Sequence, residues 1–158
     1  MRKRLVSTTQ ESNRTQVQQW LQLEEASLVE VTSEAEGYPI EGALLNDRER
    51  GWRADAPGIQ TIRLFFDHPQ TIDAIRVVFK EETISRTQEF VLRWLPHGGS
   101  WRDVVRQQWN FSPPTTVFEG EEYTVHLASA AALELSINPS ISSTEVRASL
   151  EQLRLLAT

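Results

Sequence analysis

The chain has 158 residues, with 16 Lys plus Arg against 22 Asp plus Glu and a formal net charge of −6. That length suits one domain able to bury roughly 70% of its unfolded surface. The negative balance disfavours a nonspecific grip on nucleic acid or on a membrane surface, since both require a positive field. Cysteine is absent, which excludes a disulfide framework, a thiol nucleophile and a thiolate metal site, and makes a cytoplasmic location the expectation.

Residues 1–14 are polar and are expected to form a flexible tail, leaving 15–158 as a single domain. Met1-Arg2-Lys3-Arg4 could open a signal peptide, but Ser7-Thr8-Thr9-Gln10-Glu11 follows where an apolar segment would be needed. Thr15 and Gln18 have capping-box spacing, and Val17, Trp20 and Leu21 share a helical face. The stretch 16–25 is therefore either a short helix or an irregular segment in which Trp20 plugs the core.

From there the pattern is that of strands. Leu28, Val29 and Val31 open the first, ending near Ser33; a long Gly- and Pro-containing connection then runs over 36–58. Ile62, Leu64 and Phe66 alternate with polar or outward residues, as do Ile75, Val77 and Phe79, and then Phe90, Leu92 and Trp94. Side chains two apart share one face of a strand, so each run presents a wide apolar face to a common core. Asp67-His68-Pro69-Gln70 and Pro96-His97-Gly98-Gly99-Ser100 carry turn residues and are expected to separate these runs.

Residues 101–111 are extended with no clear inner face, and Ser112-Pro113-Pro114-Thr115 ends them. Tyr123, Val125 and Leu127 alternate, Leu133, Leu135 and Ile137 form a further strand, and Ala148 to Leu156 closes the chain. The gaps after Phe66, Leu95 and Leu127 are too short for crossover helices. Eight extended runs with turn signals between them thus predict an all-β fold, a sandwich or barrel of antiparallel strands.

The order and spacing of several short motifs narrow this further. They include Val31-Thr32-Ser33-Glu34 before Tyr38-Pro39, Ala43-Leu44 and Trp52 before Gln60-Thr61-Ile62, and Pro69 with Ile72 and Ile75-Arg76-Val77. Arg86-Thr87-Gln88-Glu89-Phe90, Gly98-Gly99-Ser100-Trp101 and the closing Ala148-Ser149-Leu150 complete the set. Over residues 28–156 the chain resembles the discoidin, or coagulation factor type C, domains of the galactose-binding-like superfamily. The resemblance implies an eight-stranded antiparallel jelly-roll β-sandwich and a binding function without catalysis.

It also implies a structural calcium ion in many sugar-binding members, held partly by an Asp in an Ala-x-Asp-Gly-Asp turn. Here the turn reads Ala43-Leu44-Leu45-Asn46-Asp47, and the late glutamate ligand falls at Gln152 beside Glu151. Calcium needs several hard, preferably anionic oxygens, so no tightly bound calcium and no cofactor are expected. The arginine that galactose-binding members carry after the third long strand is also missing, since Lys80-Glu81-Glu82 stands there.

Antiparallel alternation gathers the connections 36–58, 80–87, 109–116 and 138–147 at one end of the sandwich. Binding residues concentrate on loops held by a rigid scaffold, which makes Arg53, Asp55, Glu81, Glu82, Arg86 and Trp109 the candidate ligand-binding residues. Each has a plainer reading. Trp52 nearby is expected to plug the core, and Arg86 to pair with Glu81 or Glu82 on the surface for about 0–1 kcal/mol. His68, His97 and His126 are scattered too widely for a metal cluster, and no nucleophile elbow, phosphate loop or dinucleotide fingerprint is present. The expectation is a non-catalytic carbohydrate- or glycoconjugate-binding module. The alternative is an intracellular protein–protein interaction or scaffold module using the same loops or a sheet face.

Overall fold

The computed structural model describes residues 18–23, 27–46 and 48–158. Strands follow in the order β1 (Gln19–Trp20), β2 (Ser27–Val31), β3 (Trp52–Pro57), β4 (Gln60–Lys80), β5 (Arg86–Pro96), β6 (Arg102–Phe111), β7 (Phe118–Asn138), β8 (Arg147–Leu150) and β9 (Gln152–Ala157). One helical turn, α1 (Glu41–Leu44), lies between β2 and β3. All pairings are antiparallel.

Two long strands set the architecture. β4 and β7 pair from Gln60↔Ile137 to Lys80↔Phe118, with register shifts between Phe65 and Ala74 where both strands bend. Before the bend, β4 lies between β2 and β7, and β5 and β6 extend that layer beyond β7. After it, β4 lies between β7 and β9, with β1 at the outer side of β9. The layers face one another across the core, and the rings of Phe79 and Phe90 meet with centroids 5.1 Å apart. This is the antiparallel β-sandwich jelly roll that the resemblance implied.

The apolar faces pack as the alternation requires. Ile62, Leu64, Phe66, Ile75, Val77, Phe79, Phe90, Leu92, Leu133, Leu135 and Ile137 are all buried, while Trp94 is half-buried against the cluster. Trp52 is only 1% exposed, and its Nε1 donates to the Ser33 carbonyl at 2.8 Å. It caps one end of the core, as expected for so large a ring with one polar atom.

Several expectations need correction. Asp67-His68-Pro69-Gln70 bends β4 without reversing it, because pairing resumes at Gln70↔Ala130 beyond the irregularity. Pro69 has no N–H to donate, and an interruption of the ladder is where a strand accommodates one. Opposite it, Ser129 takes a positive φ of 56°, so the two runs anticipated around 117–137 are one bent strand. The connection 36–58 contains α1 and β3, and the closing run splits into β8 and β9 at Glu151. On the first strand Leu28 is 63% exposed, while Val29 and Val31 pack against the core.

The proposed tail 1–14, the capping-box Thr15 and residues 16, 17, 24 and 25 of the expected helix fall outside the described residues. Residues 18–22 are described and are not helical, so the helix expected over 16–25 is corrected there. Within them, Gln19 and Trp20 form a short strand against Ala157 and Leu156. Trp20 does not plug the core. Its ring lies on the surface beneath the Arg76 guanidinium at 4.8 Å, and Leu23 is the buried residue of this segment.

Candidate functional site

The long connections do meet at one end of the sandwich. The Glu81 N–H donates to Val117 O, Ile141 N–H to Thr87 O and Gly58 N–H to Val146 O, tying the four loops together. Between them opens a cleft of about 560 Å³ whose lining includes Tyr38, Arg50, Arg53, Lys80, Glu81, Glu82, Thr83, Glu145, Arg147 and Glu151.

Two glycines permit this assembly. A Cβ at Gly42 of α1 would come within 2.0 Å of the Arg50 carbonyl oxygen, and one at Gly51 within 2.4 Å of the Leu150 carbonyl oxygen. The helical turn, the loop 48–51 and the junction of β8 with β9 therefore touch backbone to backbone. β3 then carries Trp52 inward and Arg53 outward, by the alternation of the strand. The Arg53 guanidinium lies 4.6 Å from the centroid of the Tyr38 ring, and that of Arg50 lies 5.3 Å from it. Among the described residues neither arginine has an ion-pair partner within 4 Å.

Beneath the cleft runs a buried polar chain. Arg86 Nε donates to Glu81 Oε1 at 2.7 Å, and its Nη1 donates to Gln88 Oε1 at 3.0 Å and to Pro139 O at 2.6 Å. The guanidinium also stands 4.7 Å from the Phe111 ring centroid. Burial raises the Glu81 pKa, but the bond from Arg86, the backbone N–H groups of Thr83 and Ile84, and the Arg86 charge outweigh it and hold the carboxyl below its ordinary value. Gln88 Nε2 in turn donates to Glu119 Oε1 at 3.4 Å. Burial, followed by the nearby Glu121 charge, pushes the Glu119 carboxyl up to about 7.

The six sequence candidates thus separate. Arg53, Glu81 and Glu82 line the cleft, with Glu82 held by Lys80 at 2.8 Å. Arg86 was expected at the surface, and that is corrected: its side chain is 1% exposed, because the loop 80–87 folds over it and Glu81 and Pro139 close on its guanidinium. Asp55 is exposed on β3, its N–H donating to Ser33 Oγ, and lies outside the cleft lining. Trp109 is half-buried and borders a separate hollow with Gln108, Asn110 and Thr116. Sequence reasoning missed Tyr38, Arg50 and Arg147. Tyr38 had a signal, since it lies in the same long loop, whereas Arg50 and Arg147 looked like ordinary surface charges.

The turn at 43–47 does not suit a calcium ion. Arg154 Nη1 donates to Ala43 O at 2.7 Å and Nη2 to Leu45 O at 2.9 Å, so a guanidinium already occupies two of its carbonyls. Leu45 and Gln152 supply no charge, and Asp47 lies outside the described residues. Among the described residues no group of three or more His, Asp or Glu could hold a metal ion.

With this geometry in view, comparison with solved structures is informative. A family 32 carbohydrate-binding module of C. perfringens NanJ, in complex with galactose, aligns with 89% of this chain and 99% of its own at a TM-score of 0.63 and 12% identity. The fold is that of the carbohydrate-binding modules. A pectin-binding module aligns over 83% of this chain and 90% of its own (TM-score 0.61, 17% identity). The family 32 module of AlyQ, in complex with 4,5-unsaturated mannuronic acid, covers 83% of this chain and 95% of its own (TM-score 0.59, 16% identity). No family model matches the sequence, and no curated protein matches it.

Proposed function

We propose that this chain is a non-catalytic carbohydrate-binding module whose ligand enters the cleft between Tyr38, Arg53, Glu82 and Arg147. The observation that carries this reading is the polar cleft at the long-loop end of a jelly roll, where guanidinium and carboxylate groups converge on one opening. Solved modules with the same fold were captured with galactose and with an unsaturated mannuronic acid, which supports a sugar as the occupant.

In this reading Arg53 makes paired hydrogen bonds to neighbouring hydroxyls or to a sugar carboxylate, for which a planar guanidinium is well shaped. Glu82 accepts from hydroxyls. Glu81 and Arg86 hold the loop from beneath, while Asp55 and Trp109 stand apart from the ligand. The chemistry needed is recognition alone. The test is a glycan array containing galactosides, pectic oligosaccharides and mannuronates, probed with the wild-type chain and with Arg53→Ala. Selective binding lost in the variant supports the proposal. An array blank for the wild type, beside specific capture of a protein, favours the interaction-module reading.

A further inference from the structure

Arg154 lies on β9 with its guanidinium forked over the turn that follows α1. Besides Ala43 O and Leu45 O, it donates to Leu153 O at 2.9 Å. Two carbonyls two residues apart in one turn thus converge on a single cation. Arg154 is paired in register with Arg76 on β4, and like charges opposite each other on a sheet are destabilising. Arg76 is partly offset by Glu122 at 3.2 Å, and Arg154 by the carbonyls. The neighbouring cavity, about 630 Å³, is lined by Arg48, Arg76 and Arg154 with the amides of Asn46 and Gln152, and no carboxylate among the described residues lines it. A divalent cation entering there would face three guanidinium groups.

We propose that Arg154 is the built-in cation of this turn, doing within the chain what a bound metal would do, and that it positions the ligand loop without any divalent ion. The route to the cleft is short. The turn continues α1, whose Gly42 abuts the Arg50 backbone, and Gly51 abuts Leu150 and Glu151. Arg50 and Arg53 then flank Tyr38 at the cleft. A guanidinium serves here because its planar fork offers separate N–H groups to separate acceptors and stays protonated when partly buried.

The experiment uses the whole chain as wild type, Arg154→Gln and Arg154→Lys, and no sugar enters it, so its result is independent of the ligand assignment. Thermal melting and amide hydrogen exchange are measured with millimolar calcium and with EDTA, and terbium is added as a luminescent calcium probe. Wild-type melting and exchange should be the same in calcium and in EDTA, with no saturable terbium emission. In Arg154→Gln, exchange over 42–53 should quicken about ten- to a hundredfold, as loss of hydrogen bonds to a charged group implies. Arg154→Lys should recover part of that protection, and calcium should rescue neither variant. A calcium-dependent rise in wild-type melting, saturable terbium emission, or unchanged exchange in Arg154→Gln would each overturn the proposal. If Arg154→Gln does not fold, the wild-type calcium and terbium measurements still decide.

Discussion

Arg86 and Glu119 show how burial changes the meaning of a charged side chain. Arg86 on a surface would be nearly neutral to remove, but here Glu81, Gln88 and Pro139 all depend on it in a buried setting. Removing one member of a buried pair leaves the other charge uncompensated, so Arg86→Ala should destabilise by about 3–5 kcal/mol in denaturant unfolding. A loss below about 1 kcal/mol would mean that solvent reaches the pair as it does an exposed one. Glu119 behaves oppositely. Its folded pKa of about 7 lies above the ordinary 4.5, so the folded state binds the extra proton between those values. Stability from this group is therefore full below pH 4.5 and is lost as pH rises towards 7. Glu119→Gln, which keeps the neutral shape, should raise the melting temperature increasingly from acid to neutral pH. A pH-independent difference would show that Glu119 is not the titrating group.

Among the elements, the alternating strands were the most legible. A period of two fixes the inner face, so Ile62 to Phe66, Ile75 to Phe79 and Leu133 to Ile137 could be placed before any coordinates. Phe90→Ala should cost about 3–5 kcal/mol, because the ring is fully buried against Phe79 and Tyr123. Unfolding in urea would check this, and a cost near zero would deny that the inner face of β5 packs against the opposite layer. The bend in β4 was not legible, since Asp67 to Gln70 carries the composition of a reversing turn and only the pairing with β7 shows that the chain continues. Arg154 was equally hidden. Between Leu153 and Leu155 it reads as an outward residue, and its acceptors are carbonyls 111 and 109 positions away. A sequence pattern records which side chains alternate, and carries no information on which backbone carbonyls a distant turn will present.

At the scale of the whole molecule, the apolar core and the polar cleft are separate. Two bent strands and their neighbours bury the core, and the loops they hold apart at one end form a polar cleft. The candidate site was legible in its location, because antiparallel alternation sends 36–58, 80–87 and 138–147 to the same end. Its membership was less so: whether a charged loop residue faces the cleft, as Arg53 does, or turns beneath it, as Arg86 does, depends on how the loop folds over the sheet end. The central claim is that the cleft binds a sugar through Arg53, and a calorimetric titration of the best array glycan into wild type and Arg53→Ala tests it most directly. Loss of a charged hydrogen bond should weaken binding about ten- to a hundredfold, while melting stays nearly unchanged because the exposed guanidinium contributes little to the fold. Equal affinity in the two proteins, with both fully folded, would contradict the account and move the ligand away from this cleft.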